Sequence, residues 1–213
     1  EIDSVGRNTR NGKYDLTRFI KLGYVPYENH NYADDWLENF GASHTLEYAY
    51  SSYAVAQMAR SLGKTDDYKK LMKQAGYWKN LFDPETLVFR PKLPNGEFIK
   101  DFDPMRPWDG FQEGNALQFL WYVPQDVDGL IQSMGKELFN QRLDKMFTLA
   151  QKNHFSGNPD HVDGFSGIEE KYNHGNQPGL HTSWLFNYSG QPWLTQKWTR
   201  TICNEFYGLE PLH

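Results

Sequence analysis

Glu113 is the residue of this chain whose surroundings best suit acid chemistry. It is followed by Gly114 and Asn115 and then by a segment that reads Phe-Leu-Trp-Tyr at residues 119–122. A carboxyl group beside aromatic rings and out of bulk water has its ionised form disfavoured, which suits it to donate a proton as a general acid. The helix allows a plainer interpretation, in which Glu113 complements the positive end of the helix dipole. Because acidic residues are common at helix N-termini, this second interpretation is favoured when only the helix is considered.

Loop amides are the next candidates, at Asn115, Asn176 and Gln177. Amide oxygens bind the hydroxyls of a ligand or a calcium ion, and the same side chains equally cap helices and close turns. The two interpretations are about even. Two histidines, His174 and His181, have the wrong interval for a helical zinc pair. His174 lies in a predicted loop, whereas His181 is predicted to be a hydrogen-bonded core residue.

Six aspartates and two tryptophans complete the set of candidates. The aspartates look like metal pairs but lack EF-hand spacing, so most are predicted to serve in turns and helix caps. Trp108 and Trp121 offer ring faces for stacking, although Trp121 lies at inner-helix spacing and is predicted to be core. The aspartates are Asp101, Asp103, Asp126, Asp128, Asp160 and Asp163.

The elements that position these residues are predicted to be paired helices. An apolar helix from Ser43 to Leu62 ends at Gly63 and belongs inside the fold. An amphipathic outer helix follows, with Thr65 as its N-cap. Its apolar face consists of Tyr68, Leu71, Met72, Ala75, Trp78 and Phe82.

The segment Asp-Pro-Glu-Thr at residues 83–86 is predicted to break the helical pattern. A short hairpin with an Asn-Gly turn is predicted next, with strands at residues 87–90 and 97–100. The loop of residues 101–110 then leads to Glu113. A second inner helix is predicted over residues 114–123, followed by a short helix from Asp126 to Met134 that ends at Gly135.

The last part of the chain repeats the pattern of inner and outer helices. An outer helix is predicted to bury Phe139, Leu143, Met146, Phe147 and Ala150, and a polar loop spans residues 153–173. A third inner helix runs to Tyr188, and Pro192 begins its outer partner, which runs to about Tyr207. The predicted fold class is therefore all-α. It is an incomplete (α/α)6 toroid with a short β-hairpin, in a single domain over residues 1–213 that forms part of a longer barrel.

Composition excludes several classes of protein. The net charge of −5 over 213 residues, with scattered Lys and Arg, gives no basic face for nucleic acid. No apolar run is long enough for a membrane span. Cys203 is the single cysteine, which excludes a disulfide framework, and it is predicted to be a small core residue. The chain begins at Glu1 without a methionine or a signal peptide, as expected of a processed or excised segment.

Seven ordered motifs resemble the catalytic domain of glycoside hydrolase family 92, a family of bacterial exo-acting α-mannosidases typified by α-1,2-mannosidases. The resemblance spans nearly the whole chain, and seven motifs in order are far more specific than one. They read LGYVP at residues 22–26, TLEYAY at 45–50, LFDPET at 81–86, EGNA at 113–116, VPQDV at 123–127, HGNQP at 174–178 and YSGQPW at 188–193.

The resemblance implies a calcium-dependent, inverting hydrolase with an N-terminal β-sandwich and a C-terminal (α/α)6 barrel. It implies that Glu113 is the general acid. An inverting mechanism needs a second carboxylate, at about 6.5–9.5 Å, that activates water as a base. Calcium would hold the 2- and 3-hydroxyls of the sugar, and it would be bound by Asn176 and Gln177. The resemblance also implies a periplasmic or secreted enzyme of glycan degradation.

Several departures from the family pattern matter. The family's base lies in an Asp-rich Gly-Gln motif downstream of the Glu-Phe-Tyr segment, here residues 205–207, and the chain stops at His213. The β-sandwich is also absent. Ser51 and Ser52 replace acidic residues. Gln177 replaces a carboxylate that shapes leaving-group specificity, so the α-1,2 preference is left open.

The sequence thus predicts part of an enzyme that removes terminal α-mannose from glycans. The chain alone is predicted to be inactive. The missing β-sandwich and the rest of the barrel are predicted to complete the active site. The alternative is a non-catalytic helical module that binds glycans or is completed by a partner. An unrelated helical-toroid enzyme is a third possibility that the motifs oppose. The predicted substrate contacts are Glu47, Asn115, His174, Asn176 and Gln177. For Glu47, a buried carboxylate bonded to a neighbouring loop is an equal alternative.

Overall fold

The computed structural model describes residue 13 and residues 15–28, 40–156 and 167–209 of the chain. The predictions for the first twelve residues and for Asp160 and Asp163 lie outside the described residues. The chain divides into two compact units. One consists of Glu1–Asp103 and Trp108–Gln112, and the other of Pro104–Pro107 and Glu113–His213. The prediction of one domain over residues 1–213 stays a prediction.

The first unit is built on a helical hairpin. Helix α1 spans Leu16–Leu22, α2 spans Gly41–Ser61 and α3 spans Thr65–Ala75. Helix α2 packs along α3 and buries its apolar side, as its nearly continuous apolar sequence predicts. The inner and outer pair predicted for this region is therefore confirmed.

Two details of α3 were predicted wrongly. Lys64, not Thr65, stands at the N-cap, and Thr65 is the first helical residue. The helix ends at Ala75 because Gly76 follows, so the apolar face does not continue to Phe82. Trp78 lies instead in a 3-10 helix, Tyr77–Asn80, and is fully buried there.

The predicted hairpin has a different pairing. Strand β1, Phe82–Asp83, pairs antiparallel with β2, Val88–Phe89, so the segment expected to break the pattern is the turn of the hairpin. Residues 97–100 contribute only an isolated bridge, Lys92 with Phe98. Prolines 91 and 94 lack the N–H that a longer ladder needs. The Asn-Gly turn itself is present, with Gly96 at φ +89.

A part-buried ion pair lies within this hairpin, and its arginine also binds the segment just before the loop of residues 101–110. Arg90 Nη1 lies 3.1 Å from Asp83 Oδ2, and Arg90 Nε donates to the carbonyl of Ile99 at 2.9 Å. Burial alone would raise the pKa of Asp83. The hydrogen bonds from the N–H of Glu85 and from Arg90 outweigh burial and hold that pKa below its ordinary value.

Asp83→Asn is expected to lower the free energy of unfolding at pH 7 by about 1–3 kcal/mol, because Arg90 loses its buried acceptor. The wild-type carboxylate stabilises the fold above its unfolded-state pKa, and this contribution is lost as the pH falls through the lower folded-state pKa. Urea unfolding at pH 7 and pH 3 measures both effects. Asp67→Asn, at an exposed carboxylate of α3, controls for the lost charge. An unchanged pH dependence in Asp83→Asn would contradict this account.

The described residues of the second unit contain four α-helices and three 3-10 helices. Helix α4 spans Ala116–Phe119, α5 Val127–Met134, α6 Lys136–Ala150 and α7 Pro192–Glu205. The 3-10 helices are Gln151–Asn153, Gln177–Gly179 and Thr182–Asn187. Helices α5, α6 and α7 confirm the sequence predictions, and Asp126, one of the aspartates predicted for turns and caps, is the N-cap of α5. The predicted apolar face of α6 is buried throughout.

Two inner helices are shorter than predicted. Helix α4 has four residues instead of the ten expected over 114–123, because the chain leaves it through a tight turn from Phe119 to Tyr122 and then meets Pro124, which has no N–H. The third inner helix forms two 3-10 segments, where Gly179 and the Thr182-Ser183 pair are weak α-helix formers.

Aromatic rings form much of the core of this unit. Phe147 contacts Tyr172 and Trp198 at ring-centre distances of 4.9 and 5.5 Å. Trp121 is 3% exposed and packs on Phe139, so its prediction as a core residue is confirmed. Cys203 was predicted wrongly, since its side chain is exposed. One residue beyond buried Ile202, it is turned about 100° around α7 and away from the core.

None of the helices that the structure describes combines the length and the apolar character needed to cross a bilayer.

Candidate active site

The backbone of Glu113 has a conformation that glutamate rarely adopts. Its φ is +55, in the left-handed region, and its side chain is half-buried. This conformation costs a residue with a Cβ about 1–2 kcal/mol, so the surroundings must hold it. The contacts on either side of Glu113 therefore decide where its carboxyl group lies.

The residues just before Glu113 are anchored on the first turn of α2. The carbonyl of Gly110 accepts hydrogen bonds from the N–H groups of Ala42 and Ser43, both at 3.1 Å. The N–H of Gln112 donates to Ser43 Oγ at 3.1 Å. The first N–H groups of a helix have no partner inside it, so they are free to bind this loop. Sequence reasoning did not identify Gly110 or Ser43 as positioning residues.

The residues just after Glu113 are fixed by Asn115, which is fully buried. Its Oδ1 accepts from the N–H groups of Leu117 and Gln118 and thereby caps α4. Its Nδ2 donates to the carbonyls of Ile168 and Glu170, at 3.0 and 2.8 Å. Both donor hydrogens and both oxygen lone pairs are thus used. The geometry supports the capping interpretation, and the substrate contact stays a prediction.

Asn176 contacts Glu113 directly. Its Nδ2 donates to the main-chain carbonyl of Glu113 at 2.7 Å, and the side chain is 4% exposed. Its Oδ1 accepts no hydrogen bond from the residues that the structure describes. The neighbouring Gln177 is exposed and is free to meet a ligand. Substrate and calcium contacts of both residues stay predictions.

His174 is held between two tyrosines. Its Nδ1 lies 2.6 Å from the hydroxyl of Tyr172, and its Nε2 lies 2.8 Å from the hydroxyl of Tyr207. Burial lowers the pKa of His174 to about 4 and raises that of Tyr172, so the neutral ring donates to one hydroxyl and accepts from the other. A sugar hydroxyl would have to replace a tyrosine. The predicted sugar contact therefore stays a prediction, and Tyr172 and Tyr207 are partners that the sequence did not suggest.

Glu47 lies half-buried on α2, in the first unit. Burial lowers the pKa of Lys13, and the negative charge of Glu47 acts against this shift. The Nζ atom of Lys13 also lies 4.9 Å from the ring centre of Tyr48. The substrate contact of Glu47 stays a prediction. The alternative, a buried carboxylate bonded to a neighbouring loop, also stays a prediction.

The other candidates have structural neighbours. His181 Nε2 donates to the carbonyl of Trp121 at 2.9 Å, which confirms the predicted hydrogen bond, although the residue is half-buried and not fully in the core. Trp108 is 40% exposed and contacts Phe40 on one side. Its φ of +63 is a second left-handed conformation in the loop before Glu113.

The resemblance implies a calcium ion, and the oxygen ligands that calcium requires can be compared with the side chains that the structure describes. Within the described ranges no three His, Cys, Asp or Glu side chains gather as a metal site would require. Asn176 and Gln177 offer two neutral amide oxygens, whereas calcium takes six to eight oxygens, commonly including carboxylates. The described residues do not fit a calcium site by themselves.

A family model and the solved structures that resemble this chain agree on the same family. The family model for the glycosyl hydrolase family 92 catalytic domain matches residues 3–212. A family 92 α-mannosidase from Bacteroides thetaiotaomicron is 40% identical, with a TM-score of 0.76 over 92% of this chain and 24% of its own. An inverting family 92 mannosidase of the same organism is 31% identical, with a TM-score of 0.75 over 92% of this chain and 26% of its own.

A curated relative, an uncharacterised secreted glycosidase of Arthroderma benhamiae, is 26% identical over 89% of this chain and 25% of its own length. The chain therefore spans about a quarter of the length of the relatives that it matches. The helical architecture and the similarity to these structures confirm the predicted fold class, a partial α/α toroid.

Proposed function

Because the chain belongs to glycosyl hydrolase family 92, we propose that it carries the proton-donating part of an α-mannosidase active site, with Glu113 as the general acid. The observation that carries this proposal is the constrained backbone of Glu113. Its half-buried side chain stands on a left-handed backbone whose carbonyl accepts a hydrogen bond from the buried amide of Asn176.

In the proposed reaction Glu113 donates its proton to the glycosidic oxygen as the bond to mannose breaks. The leaving group then departs as a neutral alcohol, and a water molecule attacks the opposite face of the sugar. The mannosidase names of the structural relatives support this substrate, and the inverting relative supports the inverting course. We assign the base that activates the water to residues outside this chain.

The proposed substrate is terminal α-linked mannose of glycans. Gln177 is exposed beside Asn176, and we propose that it contacts the leaving group. An amide donates as well as accepts hydrogen bonds, whereas a carboxylate only accepts them. We therefore propose a linkage preference that differs from that of family members with a glutamate at this position.

We propose that the enzyme depends on calcium, and the family resemblance is the only support for this part of the proposal. A bound calcium ion would orient sugar hydroxyls through its oxygen ligands. No step above depends on it, since the described residues do not make its site. We further propose a secreted or periplasmic protein, which the secreted glycosidase relative supports.

Mannose release from α-mannobiose tests the proposal. The 213-residue chain alone is expected to release no mannose, with or without added calcium, whereas the longest natural polypeptide that contains it is expected to release mannose. Calcium-dependent release by the short chain would overturn the first expectation. An inactive long form would overturn the proposed function. Calorimetry with mannose distinguishes the alternative, a glycan-binding module, which would give heat without product.

A further inference from the structure

We propose that Asn176 is a positioning residue that sets the direction of the Glu113 side chain by holding the main-chain carbonyl of Glu113. This inference rests on the proposed role of Glu113 as the acid. It gives Asn176 a task distinct from the predicted calcium contact, because the atom used is Nδ2, a donor that cannot bind a cation.

The hydrogen bond is local to the residue that needs it. Asn176 Nδ2 lies 2.7 Å from the Glu113 oxygen, which is short for an amide donor. That oxygen belongs to the peptide between Glu113 and Gly114, which is oriented by the ψ of Glu113 and the φ of Gly114 and which also turns with the following chain when the φ of Glu113 changes. A fixed donor on this oxygen therefore opposes relaxation of Glu113 to a negative φ.

Asn176 is itself held firmly enough to act as this donor. Its N–H donates to the carbonyl of Asn173 at 3.3 Å, and its own carbonyl accepts from the N–H of Gly179 at 3.1 Å. Asn173 and Asn176 are 2% and 4% exposed. A buried side chain on a closed turn has few rotamers available, so its amide has little freedom to move away from Glu113.

The other side of the same peptide is also restricted. A Cβ atom on Gly114 would lie 3.0 Å from Gln118 Oε1 and 3.1 Å from Phe119 Cε2, so the chain runs against the first turn of α4. Asn115 then fixes the chain through its cap. The peptide after Glu113 is thus held between α4 and the Asn176 amide. Helix α4 restricts Gly114, whereas the Asn176 amide binds an atom of Glu113 itself.

Asn176→Asp removes the donor while keeping the size of the side chain. At neutral pH a carboxylate oxygen would face the Glu113 carbonyl, and the two acceptors repel each other. Below the pKa of the new carboxyl group, its O–H restores a donor. The backbone of Glu113 is therefore expected to leave the left-handed region at pH 7 and to return to it at acidic pH.

NMR spectroscopy of the labelled 213-residue chain measures this directly. The NOE between the amide proton and Hα of one residue is strong only at positive φ. It is expected to be strong at Glu113 in the wild type, weak in Asn176→Asp at pH 7, and strong again in that variant at acidic pH. Asn187→Asp, an amide-to-acid change at an exposed position of the same unit, is the control and should keep the strong NOE at both pH values.

Asn176→Ala provides a second test without a new charge, and a weak NOE at Glu113 is again expected. In an active long form, Asn176→Asp should lower kcat about 10–100-fold at pH 7 with little change in KM, since misplacement of a catalytic group affects the chemical step. A strong NOE at Glu113 in both Asn176 variants at pH 7 would overturn the proposal. If the Asn176 variants lose the NOE but the wild-type long form releases no mannose, the proposed function is overturned, whereas the positioning contact between Asn176 and Glu113 is supported.

Discussion

Glu113→Gln is expected to reduce mannose release from a natural disaccharide about 100–10,000-fold, the range that general acid catalysis contributes. Glutamine has nearly the same size and retains an oxygen, but it has no proton to give to the leaving alcohol. The half-buried side chain and the left-handed backbone at position 113 should tolerate the change, because the bond from Asn176 goes to the main chain.

The assay requires the longest natural polypeptide that contains this sequence. Glu85→Gln, at an exposed glutamate in the turn of the hairpin, is the matched control and should retain wild-type rates. Circular dichroism and urea unfolding establish that the Glu113 variant is folded. Retention of more than about a tenth of the wild-type rate on the disaccharide would exclude general acid catalysis by Glu113 of the expected size.

Gly110→Ala is expected to be the most destabilising single-methyl change near the site, by about 2–5 kcal/mol. A Cβ at this position would lie 2.3 Å from Cγ of Pro91, and the φ of +85 is unfavourable for alanine. The carbonyl of Gly110 is also the acceptor for the first N–H groups of α2, so displacement of the loop leaves those donors unpaired. Steric overlap and backbone strain therefore act together.

Gly63→Ala separates these two causes. Gly63 has a φ of +69, and a Cβ there would meet no described atom within 4 Å. Its substitution should cost only the strain of the left-handed conformation, about 1–2 kcal/mol. The midpoints of urea unfolding for the two variants give the comparison. Equal losses of stability in the two variants would show that the contact with Pro91 is not a significant constraint.

The sequence was most informative where local pattern and tertiary contacts agree. The capping aspartate and glycine of α5, the apolar face of α6 and the proline that begins α7 are all where the pattern places them. In each case, residues a few positions apart determine the helix and also bury its apolar face. The family was predicted from seven motifs, and the match over residues 3–212 confirms it.

Sequence reasoning failed where distant residues determine the local conformation. No local signal places Glu113 or Trp108 at positive φ, since both residue types normally avoid it. The conformation of Glu113 depends on Asn176, which lies 63 residues away. The pairing of Phe82 with Phe89 was missed because the Asp-Pro segment between the strands was interpreted as a break in structure and not as their turn.

The candidate amides show the same limit at the level of side chains. Their residue types fit sugar or metal binding as well as they fit turns and caps, and only the partner atoms distinguish these roles. Asn115 is committed to a helix cap, Asn176 donates to Glu113, and Gln177 is exposed. One set of residue types therefore has three different environments, which the spacing of the residues does not specify.

The central claim is that Glu113 protonates the leaving group. It is tested most directly by comparing the kcat/KM of Glu113→Gln on two substrates whose leaving groups differ in their need for a proton. A dinitrophenyl mannoside departs as a stable anion and needs no proton, whereas the disaccharide needs one. The account predicts that Glu113→Gln loses about 100-fold or more of its kcat/KM on the disaccharide and less than about 10-fold on the dinitrophenyl mannoside. Equal losses on the two substrates would contradict the account.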